Sequence, residues 1–229
     1  MQPPQSNTPI DRCRNLAAYT QAAVTRYVAL FSPGPEVAAQ LQAVADTLGR
    51  ASGALGTAQD GYRAAVLALI GPRVEVKLVD LLADETVRSV KRAADEAGVS
   101  DMVFKNGVTP IVRPVGQTEV DELRALEGRI QAASAWAQRT AAGTRIQGVR
   151  TQYEAALGRR KEAMTAAGSA RAVRDQARED FLDVYASAAA SIKGVFPRDR
   201  ARQDVFFDVI RAADVADDEE STPAPVPAA

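Results

Sequence analysis

The sequence predicts an all-α protein: an elongated, antiparallel (up-and-down) helical bundle with long coiled-coil-like helices. Alanine is its commonest residue and arginine far outnumbers lysine, and both residues are strong helix formers. Aromatic residues, which favour strands, make up only 5% of the chain. Apolar residues also recur three and four positions apart over long stretches, which is the period of an amphipathic helix. These observations favour slender helices that approach closely through small side chains.

The chain of 229 residues divides into three predicted parts. A Pro-rich, flexible start covers residues 1–9, and a single helical bundle covers residues 10–213. A disordered acidic tail, rich in Pro and Ala, covers residues 214–229. The apolar periodicity places six helices in the bundle, at about residues 10–31, 35–70, 73–97, 117–143, 144–196 and 199–213.

Proline, glycine and aspartate mark the predicted helix ends. Pro35 suits the first position of the second helix, because its missing N–H is not needed there. The pair Gly71–Pro72 is expected to end that helix. Gly98 is a candidate for a left-handed C-terminal cap of the third helix, and Asp199 can cap the start of the last one. The short breaks between helices fit up-and-down connectivity.

The segment "FKNGVTPIVRPVG", residues 104–116, is the long stretch that does not read as helix. We expect an irregular crossover near residues 99–116. Asn106–Gly107 suits a type I′ turn, so a short β-hairpin is one form of it, although Pro110 cannot donate to a strand ladder. The apolar content of the segment favours a structural closure packed on the bundle. The alternative is an arm that docks a partner.

Two groups of residues are candidate partner contacts. One is on the crossover, and the other is a pair of adjacent phenylalanines near the end of the chain. Because neighbouring helical residues point about 100° apart, one phenylalanine could pack inward while the other is exposed, or both could wedge between helices. The candidate residues are Phe104, Ile111, Arg113, Phe206 and Phe207.

The residue inventory argues against catalysis. Histidine is absent, which removes the commonest general base near neutral pH and the commonest metal ligand. The single cysteine, Cys13, belongs to no recognised nucleophile motif. Asp80 and Asp84 lie one helical turn apart and are expected to form surface ion pairs with residues such as Arg88, with a carboxylate-only metal site as the alternative. The sequence therefore predicts no catalytic residue, no cofactor-binding residue and no metal ligand.

A basic stretch suggests one alternative function. The net charge is −1, but residues 139–178 carry nine basic and three acidic side chains. A long positive helix can lie along a nucleic-acid backbone, where phosphate contacts supply affinity without sequence readout. No interleaved aromatics or binding motif accompany these charges, so we do not favour this function. Its candidate contacts are Arg150, Arg159, Arg160, Lys161 and Arg171.

The remaining features predict location and function class. One cysteine, no signal-peptide pattern and no apolar run long enough for a bilayer predict a cytoplasmic protein with no membrane contact. The leading function hypothesis is a non-enzymatic structural or adaptor protein that acts through helical protein–protein contacts, with a protein partner or itself. The alternative is an electrostatic nucleic-acid binder.

Overall fold

A computed structural model describes residues 4–208, and over that range the chain is all-α. Helices hold 83% of these residues, no strand occurs among them, and the long helices pack in a bundle-like way. The predicted tail at 214–229 lies outside the described residues. In chain order the helices are α1 (Ile10–Phe31), α2 (Pro35–Ala68), α3 (Ile70–Glu96), α4 (Ser100–Val103), α5 (Thr109–Val112), α6 (Gln117–Ala132), α7 (Arg139–Val195) and α8 (Arg200–Val205).

The first helices begin and end close to the predicted positions. Helix α1 ends where Ser32 adopts a left-handed backbone (φ 45°) and donates its N–H to the Val28 carbonyl. Helix α2 begins at Pro35, as predicted. The predicted stop at Gly71–Pro72 is wrong. Leu69 alone separates α2 from α3 and keeps helical angles (φ −69°, ψ −22°), and Pro72 is accepted because the first turn of a helix needs no intrahelical N–H.

The crossover is not a β-hairpin. It forms two one-turn helices, α4 and α5, joined through a turn at Gly107 (φ 76°). Pro110 occupies the start of α5, where its lack of an N–H does no harm, whereas in a strand it would remove a ladder bond. Phe104 and Ile111 are buried in the adjoining core.

The predicted boundary between the fourth and fifth helices also moves. Helix α6 ends at Ala132 and α7 begins at Arg139, earlier than the predicted break at 143–144. The cause is Trp136, which lies in the connection and is buried, so the chain leaves the helix to deliver its ring to the core. Helix α7 then continues for 57 residues to Val195 without interruption at Gly168. Asp199 caps α8 by accepting a hydrogen bond from the Arg202 N–H (3.0 Å), as predicted.

The described residues form two compact units where the sequence predicts one bundle over 10–213. The first unit comprises the described residues up to Arg63 and those from Ser169 onward, and the second comprises Ala64–Gly168. Each has its own apolar core. The two cores are separated along the chain because the segments between them bury almost nothing. No residue of 57–75 is buried, and Ala167 is the one buried residue of 157–180. Over residues 4–208, no helix has both the length and the apolar character needed to cross a bilayer.

Candidate functional site

Helix α3, in the second unit, carries two apolar faces. Its core face consists of Val76, Ala83, Val87, Val90 and Ala94, all buried. An amphipathic helix normally presents polar residues on the opposite side. From the last residues of α2 to the middle of α3, that opposite side is apolar as well. Among residues 4–208, this second face is therefore left uncovered.

We call this second face the apolar stripe. It consists of large aliphatic side chains that are each 40% to 65% exposed. At about 100° per residue, five of them fall within roughly 40° of the direction of Val74, and the other two lie about 80° to either side. The stripe comprises Val66, Leu67, Ile70, Val74, Leu78, Leu81 and Leu82.

Polar residues beside the stripe bind α3 to α7 and leave the stripe itself open. Glu75 accepts two hydrogen bonds from Arg159, at 2.5 and 2.8 Å. Asp80 accepts a hydrogen bond of 2.7 Å from the hydroxyl of Tyr153. The orientation of α3 is thus fixed by its flanks and its core face, and the stripe is held toward solvent.

Behind α3 lies a buried polar cluster centred on Tyr153. Its hydroxyl donates to Asp80 and accepts the N–H of Gly116 at 2.9 Å, just before α6 begins. Gly116 adopts φ 72°, which favours glycine, and this conformation directs its N–H at the tyrosine. Burial and the bond to Asp80 raise the pKa of Tyr153 well above its usual range, so the hydroxyl stays protonated.

Glu119 is the least expected member of this cluster. Its side chain is 1% exposed, and its Oε2 atom has no hydrogen-bond partner. Burial, reinforced by the neighbouring carboxyl of Asp80, raises the pKa of Glu119 to about 8. Burial and Asp80 also raise the pKa of Asp84, although Arg88 opposes this from 3.0 Å. A protonated Glu119 can therefore share its proton with Asp80 at neutral pH and avoid a second buried charge.

The cluster links elements that are distant in the sequence. It joins α3, α6 and α7 through shared hydrogen bonds. Across residues 4–208, no group of three or more His, Cys, Asp or Glu side chains is arranged to hold a metal ion. Cys13 lies elsewhere, fully buried, and burial raises the pKa of its thiol to about 11, which makes it a poor nucleophile.

The predicted partner contacts are mostly in the cores. Phe104 and Ile111 are buried in the second unit, and Phe206 and Phe207 are both buried in the first. Of the five, only Arg113 is exposed, and within the described part of the chain its guanidinium group makes no hydrogen bond or ion pair. The crossover thus closes the core of its unit, and its buried side chains offer no ready contact surface.

The basic residues of α7 are only partly available. Arg150 is paired with Glu127 at 2.5 Å and Glu154 at 2.9 Å, and Arg159 is paired with Glu75. Arg171 approaches Asp175 at 3.7 Å. Arg160 and Lys161 are exposed and line a shallow pocket of about 500 Å³ near the start of α6.

A second groove in the same unit, of about 910 Å³, is lined by four basic side chains. Three of them are already engaged. Arg88 pairs with Asp84, Lys91 pairs with Asp95 at 2.5 Å, and Arg145 donates to the Ser89 hydroxyl at 2.9 Å. The groove is therefore less free to bind an anion than its lining suggests.

Sequence reasoning identified neither the apolar stripe nor the buried state of Glu119. The sequence does contain a signal for the stripe, because residues 66–82 plotted at 100° per residue show two apolar faces. One apolar face is enough to predict an amphipathic helix, so the second face was not considered. Glu119 lies in the first turn of α6, a position where an acidic side chain ordinarily complements the helix dipole from the surface. Only the three-dimensional position of α6 reveals that its side chain points inward.

Comparison with known proteins gives no match to this chain among protein families, curated proteins or solved structures.

Proposed function

We propose that this protein is a non-enzymatic structural or adaptor protein that acts through helical protein–protein contacts. The observation that carries the proposal is the apolar stripe, a solvent-facing row of seven large aliphatic side chains on a helix whose other face is already buried. Contiguous exposed apolar patches of this size mark interaction sites in soluble proteins. The cytoplasmic location predicted from the sequence stays part of the proposal.

The energetics of the stripe support this function. Complete burial of one large aliphatic side chain contributes about 1.5–3 kcal/mol. Seven such side chains, each roughly half exposed, would contribute about 5–10 kcal/mol when covered. Association itself costs several kcal/mol in lost translational and rotational freedom. A reversible contact of moderate affinity is the expected result.

We also propose an antiparallel, up-and-down helix order for the scaffold that presents the stripe. Three contacts between α3 and α7 support it: Glu75 with Arg159, Asp80 with Tyr153, and Ser89 with Arg145. Residue numbers rise along one helix as they fall along the other. Short connections between neighbouring helices are typical of this arrangement.

A co-purification experiment tests the function. The full-length protein and its Leu78→Glu/Leu81→Glu variant serve as baits in host lysate, after circular dichroism shows that they are equally helical. Met164→Glu is the matched control, because Met164 is an exposed apolar residue of α7 outside the stripe. We expect a protein, either endogenous copies of the chain or another protein, to be retained by wild type and the control but lost with the stripe variant. Equal recovery with all three baits contradicts the proposal.

The alternative function is an electrostatic nucleic-acid binder. Arg160 and Lys161 favour it, because both are exposed and neither has an ion pair within the described residues. The ion pairs of Arg150 and Arg159 weigh against it. Salt-sensitive binding of duplex DNA or RNA, lost in Arg160→Ala/Lys161→Ala, would favour this alternative over the helical contact.

A further inference from the structure

We propose that the occupant of the apolar stripe is a second copy of this chain, packed antiparallel about a two-fold axis that passes beside Val74. The inference rests on the proposed function and specifies its partner. Three features of the stripe support it: the symmetry of its apolar positions, the arrangement of its charges, and its area.

The stripe is symmetric about Val74. Ile70 and Leu78 lie four residues to either side of it, and Leu67 and Leu81 lie seven residues away. Val66 and Leu82 complete the set at eight residues. A two-fold interface needs such self-complementarity, because every contact of residue i with residue j is repeated as j with i. With a rise of about 1.5 Å per residue, Leu67 of one copy lies level with Leu81 of the other in an antiparallel pair.

The charges favour the antiparallel orientation over the parallel one. In a parallel, in-register pair Lys77 would lie level with Lys77 of the second copy, and Arg73 with Arg73. In the antiparallel pair Lys77 lies level with Gly71, which has no side chain to compete for space. Arg73 then lies level with Glu75 of the other copy, which is already paired with Arg159, so the advantage over the parallel pair is that like charges no longer share a level.

The area suits a reversible dimer. A large aliphatic side chain offers about 120 Å² of apolar surface, so seven half-exposed ones present roughly 400–500 Å² per copy. Two copies would bury about 800–1,000 Å², which is at the lower end of specific protein interfaces. We therefore expect a dimer that dissociates at micromolar concentrations, with a population that depends on concentration.

Engineered cysteines in the full-length protein test both partner and orientation. Single variants Val74→Cys, Leu67→Cys and Leu81→Cys are oxidised mildly, alone and mixed. Cys13 is fully buried, so wild type is the blank, and Met164→Cys, exposed outside the stripe, reports random collision. We expect Val74→Cys to form a disulfide-linked dimer at least tenfold faster than Met164→Cys. Leu67→Cys and Leu81→Cys should cross-link only when mixed with each other.

Each other result overturns the inference. If Leu67→Cys and Leu81→Cys each cross-link to themselves as fast as Val74→Cys, the pair is parallel or unspecific. If no stripe variant exceeds the rate of Met164→Cys, the second copy is not the occupant. The co-purification experiment then tests the proposed function separately. If a different protein binds wild type and is lost with Leu78→Glu/Leu81→Glu, the proposed function is supported. If recovery is unchanged, the proposed function is contradicted as well.

Discussion

Glu119 shows how one buried carboxyl can make the stability of this protein depend on pH. Its side chain is buried, and its Oε2 atom has no hydrogen-bond partner among the described residues. Because an unpaired buried charge costs several kcal/mol, the folded protein keeps the group protonated to about pH 8. In the unfolded chain the group would release its proton near its ordinary pKa of 4.5.

The first prediction follows from this difference in proton binding. Between pH 5 and pH 8 the folded state binds more protons than the unfolded state, so the free energy of unfolding falls as the pH rises. The slope from this group is at most about 1.4 kcal/mol per pH unit. Glu119→Gln carries a neutral amide at every pH and should lack this slope. Urea unfolding of both proteins across this range measures the difference.

Glu122→Gln is the matched control, because Glu122 lies on the same helix but is partly exposed. It should retain the wild-type pH dependence. The account of Glu119 fails if the wild type and Glu119→Gln lose stability in parallel from pH 5 to pH 8.

At the scale of single elements, three helix ends have the residues that the sequence predicted for them. Gly98 adopts φ 69° after α3, and the Val99 N–H reaches back to the Ala94 carbonyl at 3.0 Å, which confirms the left-handed cap. Pro35 begins α2, and Asp199 caps α8, also as predicted. These features depend on backbone chemistry within a few residues, which is why the sequence alone reveals them.

The second prediction contrasts two glycines of the second unit. A methyl group added at Gly98 or at Gly128 would meet no atom within 4 Å, so packing does not distinguish them. Gly98→Ala should destabilise the protein by about 1 kcal/mol, because alanine is strained at positive φ. Gly128→Ala, inside α6, should stabilise it by about 0.5–1 kcal/mol through better helix propensity. Thermal unfolding should show a lower midpoint temperature for Gly98→Ala and a higher one for Gly128→Ala. Equal shifts of the midpoint in the two variants would contradict this prediction.

The errors at this scale come from tertiary contacts. Asn106–Gly107 does form a turn, but its flanks become short helices because Phe104 and Ile111 pack into a core that the local sequence does not show. Likewise, nothing in the sequence near Arg159 indicates its partner, which is Glu75 on α3, 84 residues away. Long-range pairings of this kind leave no local signature.

At the scale of the whole molecule, the sequence predicted the all-α fold class. The helical period in this region marks an inner face of Val76, Val79, Ala83, Val87 and Val90; four of them are buried and Val79 is partly buried. The division into two units was missed, because the helical period continues through residues 57–75 although none of these residues is buried. Periodicity shows that a face is apolar. It does not show whether anything covers it.

The apolar stripe is a face of this kind: its residues follow the helical period, yet they are exposed. A helix with two apolar faces satisfies one within its own unit and leaves the other for a second molecule. In the proposed assembly the second molecule is another copy, with Val74 at the centre of the contact. The proposed contact depends on the packing of apolar side chains.

Sedimentation equilibrium of the full-length wild type and of Val74→Arg, from about 1 to 200 µM, tests this account most directly. We predict a monomer–dimer equilibrium with a dissociation constant in the micromolar range for wild type. Val74→Arg should remain monomeric throughout, because the two-fold axis would bring two arginines together in an apolar contact. Met164→Arg should behave as wild type. A wild type that stays monomeric at 200 µM, or a dimer equally stable in Val74→Arg, would contradict the account.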